Sequence, residues 1–282
     1  MAQGAFAALS ILLFANLAPA QQNSTRIEDV PFSSTALGRQ TVFSVVIPAQ
    51  PPPADGYPVL MILHGLGRNH RTLIENSETS ELLQSQPFLI VLPDSEKGWW
   101  IDSPVSGKNY DGMLLEVISE VQKRFAVSKS SQRWGVMGWS MGGFGAMHFA
   151  ERHPQCISFV GSMIGLLDFP RVEGLPDGQR FTVDESVFGR EASEWANENP
   201  SHHLAPLAGK DLEIVIANQA FDRTMNENFL QQAQAAGLHP DVYRIDGEHV
   251  FSSVMEGLRI LLPRAAAHFS QASDPAISTA VH

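Results

Sequence analysis

The chain is poor in cysteine, in basic charge and in long apolar runs. Cys156 is the only cysteine among 282 residues, so no intrachain disulfide can form and a cysteine-based zinc site is excluded. Without staples the fold must rest on its core, and a chain of this length buries roughly 75% of its unfolded surface. Lys and Arg number 19 against 30 Asp and Glu, a formal net charge of -11. Nucleic-acid binders concentrate positive charge in a patch. The nearest approach here, Lys123 and Arg124 with Arg133, is sparse, so no nucleic-acid partner is expected. Apolar runs fall short of the roughly 20 residues that cross a bilayer, so no stable membrane anchor is expected. Residues 1–20 carry no charged side chain at all. Ala5 to Leu17 is mostly apolar and Ala18-Pro19-Ala20 follows, a small-x-small cleavage pattern, although a basic residue before the apolar stretch is missing. This reads as a secretory signal peptide, with a mature start at Gln21 and a secreted or periplasmic location. No cysteine near the cleavage site means no lipoprotein. Asn23-Ser24-Thr25 fits a glycosylation sequon.

What remains is globular: 44% of residues are hydrophobic and 17% charged. Thr41 to Ile47 is β-branched and apolar, and the proline-rich Pro48 to Ala54 breaks it. Val59 to Leu63 and Phe88 to Leu92 are unbroken apolar runs, which suits parallel strands covered on both faces. Leu114, Val117, Ile118, Val121 and Phe125 recur at helical spacing. Trp134 to Trp139 reads as a strand, Met141 to Arg152 as a helix, and Ser158 to Ile164 and Leu212 to Ala217 as strands. Asn226 to Ala236 reads as a helix closed by Gly237, Asp241 to Ile245 as a short strand, and Val250 to Leu262 as a last helix. Such alternation predicts a mostly parallel sheet with helices on both faces, in one α/β domain over residues 21–282. Leu167 to Leu207 lacks a clear strand and reads as an insertion over one end of the sheet, and residues 270–282 read as a loose tail.

Gly138-Trp139-Ser140-Met141-Gly142 sits between a predicted strand and a predicted helix. There G-x-S-x-G reads as a nucleophile elbow, with small neighbours letting the backbones approach and Ser140 held on a sharp turn. The plain alternative is a glycine-rich strand-to-helix turn without chemistry. A serine hydroxyl needs a base and an orienting acid, which in this fold class follow in the order serine, acid, histidine. Asp222 follows the strand Leu212 to Ala217, whereas Asp211 precedes it. His249 follows the last strand, whereas His239 precedes it and His268 lies deep in the final helix. Asp222 could instead cap the next helix and His249 could simply open the last one. An oxyanion hole needs two backbone N–H groups. Met141 supplies one at a helix N-terminus, and Leu66 in His64-Gly65-Leu66-Gly67 is the candidate for the other. His64 precedes the serine and is expected to hold that loop.

The stretch Gly138 to Pro154, with Ser-Met-Gly-Gly, Gly145-Ala146-Met147 and His153-Pro154, resembles the esterase D group of α/β-hydrolases. That group includes tributyrin esterases, S-formylglutathione hydrolase, feruloyl esterases and mycobacterial mycolyltransferases. Leu63-His64-Gly65-Leu66, Leu92-Pro93-Asp94, Trp99-Trp100-Ile101-Asp102, Asn109-Tyr110, Phe188-Gly189, Trp195, Asn199-Pro200 and Gly247-Glu248-His249 carry the likeness outward, over roughly residues 40–265. Two positions depart from it. Asn218-Gln219-Ala220 stands where the family often has a glycine, and Val250-Phe251 where it often has an aromatic pair. The resemblance implies an α/β-hydrolase fold and a secreted serine esterase with Ser140, Asp222 and His249, acting on a small or polysaccharide-linked ester without metal or organic cofactor. An acyltransferase of the mycolyltransferase kind, or a non-catalytic carbohydrate-binding protein on the same scaffold, are the rival readings. Trp99 and Trp100 could shape the pocket or fill the core.

Overall fold

A computed structural model describes residues 24–171 and 182–272. The expected signal peptide, Asn23, residues 172–181 of the insertion and residues 273–282 of the expected tail lie outside them.

The frame is one eight-stranded sheet. Its strands are β1 (Arg26–Ser34), β2 (Arg39–Ile47), β3 (Val59–Leu63), β4 (Leu89–Pro93), β5 (Trp134–Trp139), β6 (Phe159–Met163), β7 (Asp211–Ala217) and β8 (Asp241–Ile245). They lie in the order β1-β2-β4-β3-β5-β6-β7-β8. The run from β4 to β8 is parallel, and the hairpin β1–β2 joins antiparallel at one edge.

The unbroken apolar runs have a direct cause, because successive side chains of a strand point to opposite faces. Val59, Met61 and Leu63 of β3 enter one core, with Leu114 and Val117 of α3 (Tyr110–Arg124), Phe144 and Met147 of α4 (Met141–Arg152) and Phe229 of α7 (Arg223–Ala235). Leu60 and Ile62 enter the other, with Leu73 of α1 (Thr72–Glu75), Leu83 of α2 (Ser77–Gln84) and Leu258 and Leu261 of α8 (Phe251–Gln271). Two apolar faces on each strand therefore require helices on both sides of the sheet.

Several elements differ from the sequence reading. β1 was not anticipated, because Glu28, Asp29 and Pro31 mask the alternation that buries Val30, Phe32 and Ser34. Proline is tolerated there because an edge strand can forgo one ladder donor. The helix α2 was also missed. α8 runs past Pro263 to Gln271, so residues 270 and 271 are helical rather than tail. A proline inside a helix costs about 3 kcal/mol. Burial of Leu261, Leu262, Ala265 and Phe269 on the sheet offsets it. The insertion, among the described residues, holds α5 (Glu185–Phe188), α6 (Ala192–Glu198) and short 3-10 turns, with no strand.

Candidate active site

Ser140 is the single residue between β5 and α4, and its backbone sits at φ 55° and ψ −121°. A non-glycine residue there stores of order 1–3 kcal/mol of strain, which persists only where the surroundings enforce it. Here they do. The Ser140 N–H donates to the Met163 carbonyl at 3.1 Å, and its carbonyl accepts from Phe144 N–H at 3.1 Å. A Cβ on Gly138 would land on the Gly142 carbonyl, and one on Gly142 would land on the Leu63 carbonyl of β3. Both positions must be glycine for strand, turn and helix to meet so closely.

His249 Nδ1 is 2.6 Å from Asp222 Oδ1, and its Nε2 is 2.8 Å from Ser140 Oγ. A carboxylate only accepts, so Nδ1–H donates to Asp222 and Nε2 is left to accept the serine hydroxyl proton. Asp222 is wholly buried, while His249 keeps 19% of its side-chain surface. Asp222 occupies the N-cap position of α7, yet its side chain makes no capping bond. Its second oxygen accepts from Asn226 Nδ2 at 2.9 Å, and the same amide donates to the Gly165 carbonyl at 2.8 Å. Asn226 was not singled out from the sequence. Its spacing four residues beyond Asp222, on one helix face, was the available signal.

The histidine loop is tied to the acid turn by the residues that replace the family glycine. Gly247 N–H donates to Gln219 Oε1 at 2.7 Å, and Gln219 N–H donates back to the Gly247 carbonyl at 2.9 Å. Ser253 Oγ donates to the Glu248 carbonyl at 2.7 Å. The Phe221 ring lies 4.4 Å from the imidazole, centre to centre. Asp246 and Glu248 are exposed, Asp246 accepting from Asn218 Nδ2 at 3.3 Å, and among the described residues Asp222 is the only carboxylate within ion-pair distance of His249.

Leu66 is 45% exposed and lines the same cleft as Ser140, and its N–H has no hydrogen-bond partner among the described residues. A Cβ on Gly65 would come within 3.3 Å of Ser140 Cβ, so this loop lies directly against the elbow. Met141 opens α4, where the leading N–H groups have no intrahelical acceptor and the helix dipole is positive. His64 is buried behind the loop. Its Nε2 accepts the Ser95 N–H at 3.1 Å, leaving Nδ1–H to donate to the Gly65 carbonyl at 2.9 Å. Farther along, His70 Nδ1 lies 2.7 Å from Ser44 Oγ, and burial pushes its imidazole below the ordinary value.

The cleft encloses about 320 Å³ and is walled by Leu66, Trp139, Ile164, Val250, Phe251 and Val254. Trp99 and Trp100 do not reach it. Trp99 stacks on Phe169 at 4.8 Å inside the core, and Trp100 donates its indole N–H to the His64 carbonyl at 3.2 Å. His239 lies on the exposed connection before β8, and His268 pairs with Asp211 at the opposite end of the strands. A larger cavity of about 600 Å³, lined by Glu151, Arg152, Glu198, His202 and His203, contains none of the candidate residues.

Comparison with known proteins agrees with this architecture. The chain is 27% identical over 261 residues to the esterase Rv1288 of Mycobacterium tuberculosis (strain ATCC 25618 / H37Rv), covering 82% of this chain and 57% of that relative. It thus spans little more than half the length of that mycobacterial protein. It is 22% identical over 237 residues to an acetyl esterase of Caldicellulosiruptor saccharolyticus, covering 80% of this chain and 81% of the relative. The solved structure of FphF, a fluorophosphonate-binding serine hydrolase of Staphylococcus aureus, superposes with a TM-score of 0.75 at 17% identity, over 86% of this chain and 99% of that one. The likeness establishes an α/β-hydrolase fold. The family model matches residues 34–252, and the chain belongs to the Esterase family.

Proposed function

We propose that the chain is a serine hydrolase of carboxylic esters that works through an acyl-enzyme. The observation that carries this reading is the continuous row Ser140 Oγ, His249, Asp222, with links of 2.8 and 2.6 Å at the floor of an open cleft. Ser140 attacks the ester carbonyl carbon while His249 Nε2 takes its proton. Asp222 fixes the imidazole tautomer and stabilises the imidazolium. The Leu66 and Met141 N–H groups receive the oxyanion, where preorganised donors act without reorganisation. Collapse expels the alcohol, which takes the proton back from His249. A water then repeats the sequence on the acyl-serine and releases the acid. Exposed Leu66 and Val250 leave the cleft open to that water. The rival of a non-catalytic binding protein would have no use for a strained serine hydrogen-bonded to a histidine that is backed by a buried aspartate. An acetyl or other short acyl group suits the small cleft, in keeping with the acetyl esterase relative.

Turnover of p-nitrophenyl acetate and butyrate tests the reading. Ser140→Ala should fold normally and lose about 10⁶ in kcat. A variant of undiminished rate contradicts the mechanism. Residues 1–20 support export, with the mature chain starting at Gln21. N-terminal sequencing of protein from the periplasm or medium should read Gln21, and a cytoplasmic protein starting at Met1 or Ala2 contradicts it.

A further inference from the structure

Arg68 stands two residues beyond Leu66 on the oxyanion loop and lines the cleft that holds Ser140 and His249. Apart from His249, it is the only ionisable side chain in that lining among the described residues, and no acid of theirs shares it. Other arginines on the described surface find acids, Arg71 with Asp29 and Glu75 and Arg39 with Glu96, while Arg223 donates to the Asn218 carbonyl. Arg68 forms no ion pair among the described residues. Its guanidinium instead rests over the Phe251 ring, 5.8 Å from the centroid. Stacking on an aromatic face holds a guanidinium in place while leaving its N–H fork free. The cleft of a chain with net charge -11 thus carries one exposed cation among lining residues that are mostly apolar.

We propose that Arg68 selects esters that carry a carboxylate a few bonds from the scissile carbonyl. The planar fork matches a carboxylate bidentately, and the apolar walls would hold the carbon chain between the two groups. This rests on the ester-hydrolase reading above. The carboxylate can belong to the acyl part, as in a half-ester of a dicarboxylic acid, or to the alcohol part.

Two matched pairs of substrates distinguish these. The first is the p-nitrophenyl half-ester of glutaric acid against p-nitrophenyl pentanoate. The second is para-acetoxybenzoate against para-acetoxybenzamide. At low ionic strength the wild type should favour the anionic member of one pair by about tenfold in kcat/KM. The pair that responds locates the charge. Arg68→Gln should bring that ratio to about one, and Arg68→Lys should keep part of it, since a point charge lacks the fork. Added salt should erode the wild-type ratio and leave that of Arg68→Gln alone. Ratios near one for both pairs in the wild type, or a preference that survives Arg68→Gln, overturn the proposal. So does an equal loss on both members of a pair, which would make Arg68 an aid to the oxyanion. A wild type that cleaves none of the four esters contradicts the ester-hydrolase reading itself, a result distinct from any charge ratio.

Discussion

Two hydrogen-bonded rows of serine, histidine and aspartate stand at opposite ends of the same strands. At the carboxyl ends Ser140, His249 and Asp222 are linked by 2.8 and 2.6 Å. At the amino ends Ser158, His268 and Asp211 are linked by 2.8 and 2.9 Å through the same ring nitrogens. Both rows follow the chain order serine, acid, histidine. By distance alone they are the same site. Everything around them differs. Ser158 is buried in the lead into β6, with ordinary backbone, while Ser140 is strained at a helix start beside a cleft. The Ser158 hydroxyl has a second acceptor, the Gln132 carbonyl at 3.0 Å, so its proton is not reserved for the histidine. Asp211 is 34% exposed and Asp222 wholly buried. The Phe159 and Phe269 rings pack on His268 at 5.7 and 5.6 Å, centre to centre. Under the proposed mechanism, a serine row becomes chemistry through backbone strain, a cleft, oxyanion donors and a buried orienting acid, and otherwise pins a helix to a sheet.

The sharpest way to break this comparison is to neutralise each acid in turn. Asp222→Asn should reduce kcat by about 10⁴ through the wrong imidazole tautomer, with little change in KM. Asp211→Asn should leave turnover unchanged and cost about 1 kcal/mol of stability, read as a lower Tm. Asp246→Asn and Glu248→Gln, beside His249 in sequence, should cost at most about tenfold through loop placement. If Asp222→Asn keeps its turnover while Glu248→Gln or Asp246→Asn is inactive, the acid is wrongly assigned.

A smaller effect separates the two ends of α4, which starts beside Ser140 and finishes beside a buried carboxyl. Burial pushes Glu151 well above its ordinary value, and its Oε1 has no partner among the described residues. The folded state therefore holds its proton more tightly than the unfolded chain does. Below the unfolded value of about 4.5 the two states bind it equally. As pH rises from there toward the folded value, stability is lost. Glu151→Gln removes that loss, so its Tm relative to wild type should climb between pH 4 and pH 8 while kcat stays unchanged. A constant Tm difference over that range contradicts the assignment.

Much of this was legible in the sequence, for physical reasons. Val59 to Leu63 and Phe88 to Leu92 read as parallel strands covered on both faces because both faces are buried. Ser140 was conspicuous because the glycines around it answer a steric demand of neighbouring backbone. Asp222 and His249 could be chosen by their positions after β7 and β8, since strand ends of one polarity collect in one place. Other features depend on distant pairings that no local pattern reports. β1 is fixed by its register against β2, where Pro31 faces Val42. Asn226 matters because Gly165 comes to it from another connection. Gln219 looked like a departure from a family pattern and is instead the clamp on the histidine loop. The row at Ser158 was invisible because residues 158, 211 and 268 share no motif, only adjacent strands and one helix.

The most direct test is covalent labelling with a fluorophosphonate followed by peptide mass spectrometry, in the wild type and in Ser140→Ala. The account predicts one adduct on Ser140, none on Ser158, and no labelling of Ser140→Ala. An adduct on Ser158 or another residue, or a Ser140→Ala protein that labels like wild type, would contradict it.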